Sequence, residues 1–177
     1  MINGYKMLHD FAKTCAANST RSQDVLKVDI KLVEKEIIGS PLFNQIADTF
    51  DKKHPSCAME ASRALTALIS ISKTIQDHVC ITCLPSMLEY AVDYLRRRSQ
   101  IQGALRDIFL KFEHCFMIFA VCLSKNQIGR KKMSSKNGLL SLIYLSQSSN
   151  VTIRQKSFGV LLSVVQQFHD NLQVLTS

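Results

Sequence analysis

The feature that most constrains this fold is a series of apolar stripes at helical spacing, separated by glycine, proline and small polar residues. Three separators have the chemistry of helix ends: Gly39-Ser40-Pro41, His54-Pro55-Ser56 and Leu84-Pro85-Ser86. Glycine favours a helix stop, serine favours an N-terminal cap, and proline fits the first helical turn. No two alternating segments are joined by a hairpin turn. The pattern therefore predicts an all-α protein.

Each stripe has a definite extent in the sequence. Apolar periodicity predicts helices over residues 5–17, 23–38, 41–52, 57–73, 87–97, 103–125 and 152–168, with a strand as the lesser alternative for 23–38. In the first helix we expect the stripe Met7, Leu8, Phe11 and Cys15 to be buried. In the helix over 103–125, phenylalanines recur every three or four residues, which is typical of a core-facing surface.

Composition limits the classes of protein to which the chain can belong. Its 177 residues are 46% hydrophobic and fall within the size range of one domain with a core. No apolar run approaches the roughly 18 to 20 residues needed to cross a bilayer, so we expect no membrane association. The first residues lack the features of a secretory signal, and six cysteines are too few for a disulfide scaffold. These observations favour a cytoplasmic or nuclear protein, and the helical character at both ends leads us to expect a fragment of a longer one.

Paired helices recur along the chain every 40 to 50 residues or so, the pitch of armadillo and HEAT units. The segment Asn137–Leu145, a polar break and the following stripe to Gln167 together resemble an armadillo repeat. The resemblance implies a right-handed helical solenoid of about three repeats (about 41–83, 84–137 and 138–177), with residues 1–40 as a helical cap or an irregular repeat. The sequence departs from the armadillo pattern at Leu84-Pro85, where a glycine is expected. Such solenoids bind partners along the surface of successive third helices.

Positive charge is concentrated in one part of the chain. Residues 91–136 contain ten lysines and arginines against three acidic residues, within a formal net charge of +8. Solvated helix ends would explain this excess. Alternatively, the basic residues share one rim of the solenoid and attract a polyanion. The candidate partner-binding residues are Arg96, Arg97, Arg98, Lys111, Lys125, Arg130, Lys131, Lys132, Lys136, Gln155 and Gln166.

The function that we expect is therefore a non-enzymatic scaffold that binds an acidic or amphipathic segment of a partner protein. A nucleic-acid-associated domain would use the same basic residues, but no aromatic residues are interleaved with them for base stacking. A self-associating assembly domain is the other alternative.

Patterns for catalysis, cofactors and metals are weak. Cys80-Ile81-Thr82-Cys83 lacks a second ligand pair for zinc, so we expect buried thiols, with zinc or redox chemistry as lesser alternatives. The five histidines form no i, i+4 pair, and no nucleophile and base are grouped. Residues 128–132 lack the upstream glycine of a nucleotide-binding loop and the hydroxyl residue after its lysine, and we interpret them as a basic turn. We expect no enzyme activity, no cofactor and no metal.

Overall fold

The computed structural model describes residues 2–20, 29–51 and 54–176 of the chain. Across these residues the regular structure is helical and no strand occurs, so the predicted all-α class is confirmed. The chain divides into two compact units, Met1–Met87 and Leu88–Ser177. Within the same residues, no helix is both long enough and apolar enough to cross a membrane.

The first unit contains α1 (Ile2–Thr20), α2 (Ile30–Gly39), α3 (Leu42–Asp51), α4 (Pro55–Leu68) and α5 (Lys73–Thr82). The helix α6 (Leu84–Arg96) includes the division between the units. The second unit continues through a 3-10 turn (Arg98–Gln100), α7 (Ala104–Ser124), α8 (Gln127–Met133), α9 (Lys136–Leu145) and α10 (Val151–Thr176).

Capping chemistry explains most helix starts in the first unit. Pro55 occupies the first turn of α4, as the separator His54-Pro55-Ser56 predicted. Asp29 caps α2 by accepting hydrogen bonds from the amides of Lys31 and Leu32. The helix predicted over 23–38 is confirmed where the chain is described, whereas residues 23–28 lie outside the described residues.

One helix predicted in the first unit is wrong in its extent. The helix predicted over 57–73 runs too far, because α4 ends at Leu68 and Ser72 caps the next helix, α5, by accepting a hydrogen bond from the Ile75 amide at 3.2 Å. A serine side chain that satisfies a free amide competes with helix continuation. Ile69 and Ile71 continue the apolar spacing past Leu68, so periodicity alone does not show where α4 ends.

The buried face of α1 also differs from the predicted stripe. Tyr5, Ala12 and Cys15 are buried, whereas Met7 and Phe11 are 74% and 48% exposed. The helix packs against α4, where buried alanines allow a close approach, and small residues such as Ala12 suit that contact. Position relative to α4, rather than hydrophobicity, decides which side of α1 is buried.

In the second unit, α10 packs against α7, α8 and α9. The four phenylalanines of α7 that the spacing predicted to face the core are each at most 2% exposed, which confirms that prediction: Phe109, Phe112, Phe116 and Phe119. On α10 the buried residues recur at the same helical spacing: Ile153, Ser157, Val160 and Val164. One face of each long helix therefore forms the core of this unit.

Two glycines allow the short helices of this unit to pack tightly. A Cβ atom at Gly129 would lie 2.4 Å from the Leu123 carbonyl oxygen, and one at Gly138 would lie 2.3 Å from the Met133 carbonyl oxygen. Both distances are far below van der Waals contact. Glycine at these positions therefore lets α8 start against the end of α7, and lets α9 start against the end of α8.

Candidate partner-binding surface

Arg96 and Arg97, at the end of α6, are paired with the same carboxylate. Asp93 accepts hydrogen bonds from Arg96 Nη2 and Arg97 Nη2, each at 3.1 Å, and Arg97 Nε also donates to the Asp93 carbonyl oxygen at 3.1 Å. Both arginine side chains remain more than half exposed. These contacts satisfy a free carbonyl of the last helical turn and offset part of the positive charge.

Arg98 is partly buried and bonded within the second unit, with its side chain 25% exposed. Its Nη2 donates to Glu113 Oε1 on α7 and, at 2.9 Å, to the Tyr144 carbonyl oxygen at the end of α9. The guanidinium carbon lies 5.9 Å from the centre of the Phe109 ring. Because Glu113 is only 1% exposed, Arg98 compensates a carboxylate that water does not reach.

The second oxygen of Glu113 holds the loop that precedes α10. Glu113 Oε2 accepts a hydrogen bond from the buried Ser148 hydroxyl at 2.8 Å. The Ser148 hydroxyl in turn accepts from the Asn150 amide, and Arg154 Nη1 donates to the Ser148 carbonyl oxygen at 2.6 Å. The pattern of α7 contained a signal for this role, because Glu113 occupies the same helical face as Phe109 and Phe116.

A second set of basic residues lies on and around α8. Residues 127–133 are helical, so the predicted basic turn is wrong. The reason is a cap, because the Asn126 side chain accepts hydrogen bonds from the Ile128 and Gly129 amides at 2.7 and 3.2 Å. We call this set the α8 basic cluster, defined as Lys125, Arg130, Lys131, Lys132 and Lys136.

Among the side chains that the structure describes, which extend to Gln167 on α10, no carboxylate pairs with the α8 basic cluster. Arg130 bonds to neutral oxygens, with Nε donating to Gln167 Oε1 at 3.1 Å and Nη1 donating to the Ser124 carbonyl oxygen at 2.8 Å. Lys131 and Lys132 are exposed in the last turn of α8, where cations are favoured by the helix dipole. Lys125 and Lys136 are exposed on either side of α8. No acidic group among these described side chains therefore offsets the positive charge of the cluster.

The two sets of basic residues lie at different positions along α7. Arg98 is bonded to Glu113, and Arg130 is bonded to Ser124, which is eleven residues later in the same helix. At 1.5 Å per residue this separation is roughly 16 Å along the axis, more than a Debye length in physiological salt. One short acidic group does not contact both sets.

The remaining predicted residues are exposed on the two long helices. Lys111 is exposed on α7, and Gln155 and Gln166 are exposed on α10. Gln155 lies beside an apolar stripe on α10 that sequence reasoning did not identify as exposed. Its members are between 54% and 71% exposed, and they are Val151, Phe158, Leu162 and Val165.

The two cysteines at the end of α5 are buried, as we expected. Cys80 and Cys83 are fully buried free thiols. Cys83 Sγ donates to the Phe43 carbonyl oxygen at 3.2 Å, and burial raises the pKa of the Cys83 thiol to about 12. Over the described ranges, no three histidine, cysteine or acidic side chains are grouped so as to hold a metal ion.

Comparisons with protein-family models, with curated proteins and with solved structures give no match to this chain.

Proposed function

We propose that this protein is a non-enzymatic interaction scaffold whose second unit binds an acidic segment of a partner protein through the α8 basic cluster. The observation that carries the proposal is the difference between the two basic sets. Arg96, Arg97 and Arg98 are paired with Asp93 and Glu113, whereas the α8 basic cluster has no acidic partner among the side chains that the structure describes. An uncompensated cluster of this kind attracts and orients an acidic ligand.

The basic set is placed by structure that does not depend on a ligand. The Asn126 cap starts α8, and the close contact at Gly129 holds that helix against the end of α7. Arg130 then bridges the end of α7 to Gln167 of α10. Lysines held on a fixed helix lose less conformational freedom on binding than lysines of a mobile tail.

The finer architecture that we propose is an armadillo-like solenoid. Helix lengths in the second unit support it, because a short, an intermediate and a long helix follow one another there in chain order. The lengths are 7, 10 and 26 residues for α8, α9 and α10. In this arrangement the last repeat begins at α8 rather than at residue 138, its third helix is α10, and the 21-residue α7 that packs against α10 is the third helix of the repeat before it.

The test is a pair of charge-reversed proteins with equal net charge. Lys131→Glu with Lys132→Glu changes the α8 basic cluster, whereas Lys6→Glu with Lys13→Glu changes two exposed lysines of α1. Both double substitutions lower the formal net charge from +8 to +4. Arg130 is left intact because its hydrogen bonds connect α7 and α10.

Fluorescence anisotropy with a labelled glutamate-rich peptide measures the effect. We expect the α8 variant to bind at least about tenfold more weakly than the unmodified protein, and the α1 variant to bind within about twofold of it. Equal weakening by both variants would mean that net charge alone drives binding, and would overturn the proposal. A single-stranded oligonucleotide bound more tightly than the peptide, with affinity falling steeply with salt, would instead favour the nucleic-acid alternative.

Self-association is the second candidate function, and the exposed stripe on α10 is the observation that favours it. Gln167, the contact of Arg130, is nine residues from Phe158 and therefore lies on the opposite side of the helix. A ligand at the α8 basic cluster does not cover the stripe. Sedimentation velocity over a hundredfold concentration range, with Leu162→Glu as the variant, tests this alternative. Concentration-dependent mass that the substitution abolishes would support it, and a constant monomer mass would exclude it.

A further inference from the structure

A cavity of about 340 Å³ lies in the second unit between the start of α7 and the loop before α10. Its walls include Arg98, Arg106, Phe109, Leu110, Glu113 and Ser149. This volume is at the lower end of the roughly 300–1,000 Å³ typical of ligand pockets. The cavity belongs neither to the α8 basic cluster nor to the apolar stripe on α10.

The charges around this cavity leave one cation uncompensated. Glu113 already accepts hydrogen bonds at both oxygens, from Arg98 and from Ser148, so its charge is offset within the protein. Arg106 is exposed, and no acidic side chain among the described residues lies within ion-pairing distance of it. Arg98 Nε is buried and meets no acceptor in the described part of the chain. The cavity therefore has a net positive charge of about one.

The rest of the lining matches a short acidic side chain. Ser99, Gln102 and Ser149 line the cavity with side chains that form no hydrogen bond to other described residues, which leaves hydroxyl and amide donors available. Phe109 and Leu110 provide an apolar wall for methylene groups. A single uncompensated guanidinium beside a buried carboxylate suits a monoanion better than a phosphate dianion, because Glu113 would repel the second charge.

We propose that this cavity, which we call the Arg106 pocket, binds the carboxylate of a glutamate side chain from the partner's acidic segment. Arg106 donates hydrogen bonds to the carboxylate, and Phe109 and Leu110 contact its methylene groups. That this glutamate belongs to the partner protein rests on the proposed function. Arg106 lies eighteen residues before Ser124, the last residue of α7, or about 27 Å along the helix axis, so substitutions in the α8 basic cluster leave this pocket unchanged.

Titration with small probes tests the pocket separately from partner binding. The probe is N-acetylglutamate amide, and N-acetylglutamine amide is the neutral probe of matched shape. Chemical shifts of the backbone amides and of the arginine Nε–H groups are followed by NMR in the unmodified protein, in Arg106→Gln and in Lys156→Gln. Lys156→Gln is the matched control, because it removes one exposed positive charge from the same unit at a residue that does not line the pocket.

We expect saturable shifts at residues of the pocket with the charged probe and none with the neutral one. Arg106→Gln weakens binding at least about tenfold, because a charge-assisted hydrogen bond is lost, while Lys156→Gln changes it less than about twofold. Equal titration of Arg106→Gln and unmodified protein, or equal shifts with both probes, would overturn the proposal. Tighter binding of inorganic phosphate than of the glutamate probe would overturn the carboxylate assignment. If the pocket fails these tests while the glutamate-rich peptide still binds through α8, the proposed function stands and this inference alone falls.

Discussion

Replacement of Arg98 by alanine is expected to destabilise the second unit strongly, although sequence reasoning placed this residue on a binding surface. Loss of the guanidinium leaves the Glu113 carboxylate, which is 1% exposed, without its compensating charge. The Tyr144 carbonyl oxygen loses its Arg98 donor in the same step. Removal of one partner from a buried ion pair costs about 3–5 kcal/mol, a large fraction of the 5–15 kcal/mol of typical domain stability.

Arg97→Ala is the matched control for this prediction. Arg97 is adjacent in sequence and also pairs with a carboxylate, but its side chain is 51% exposed and Asp93 is 28% exposed. An exposed pair contributes about 0–1 kcal/mol. The two substitutions remove the same chemical group and the same charge, so the difference between them isolates burial of the carboxylate.

Urea unfolding followed by far-ultraviolet circular dichroism measures both free energies of unfolding. Hydrogen exchange of peptides covering residues 146–150 reports the loop that Glu113 holds through Ser148. We expect Arg98→Ala to lose protection there and Arg97→Ala to retain it. The double substitution Arg98→Met with Glu113→Leu should recover most of the stability, because no buried charge remains. A loss below about 1 kcal/mol for Arg98→Ala would refute the reasoning.

Other predictions concern packing and the buried thiol. Gly129→Ala and Gly138→Ala should each destabilise the protein by about 1–3 kcal/mol, because the added Cβ overlaps backbone atoms. A Cβ at Gly159 meets no atom within 4 Å, so Gly159→Ala should stabilise α10 by about 0.5–1 kcal/mol. Thermal unfolding compares the three variants. A pKa of about 12 instead of 9.0 lowers the thiolate fraction of Cys83 about a thousandfold at pH 8. The partly exposed Cys57 should therefore react far faster than Cys83 with a disulfide reagent in the native protein. Equal reaction rates of the two thiols would contradict the burial of Cys83. Because the pKa of the Cys83 thiol is higher in the folded protein than in the unfolded chain, this thiol contributes stability that is fully present below about pH 8.5, where the unfolded thiol titrates. The contribution is lost as pH rises towards 12. Cys83→Ala should reduce the alkaline decline measured by urea unfolding.

Helix class and several helix starts were predictable from the sequence because local chemistry determines them. Pro55 at the start of α4 is an example, since proline there needs no knowledge of the rest of the fold. The end of α4 at Leu68 was predicted five residues too late, because Ile69 and Ile71 continue the apolar spacing. The α8 helix was missed because seven residues, capped by Asn126, are too few to show a periodic stripe.

The binding residues were less predictable, because the sequence shows charges but not their partners. The pairs of Asp93 with Arg96 and Arg97 are local, and helical spacing alone would have suggested them. By contrast, Arg98 reaches Glu113 fifteen residues away and Tyr144 forty-six residues away. Contacts over such separations depend on the packed unit. They divide the basic residues into paired and unpaired sets.

Affinity capture from cell extract with the two equal-charge variants tests the central claim most directly. The bound proteins are quantified by mass spectrometry for the unmodified protein, for Lys131→Glu with Lys132→Glu, and for Lys6→Glu with Lys13→Glu. We predict that a set of proteins with acidic segments is retained by the unmodified protein and by the α1 variant, and is lost from the α8 variant. Retention of the same set by all three proteins would contradict the role of the α8 basic cluster.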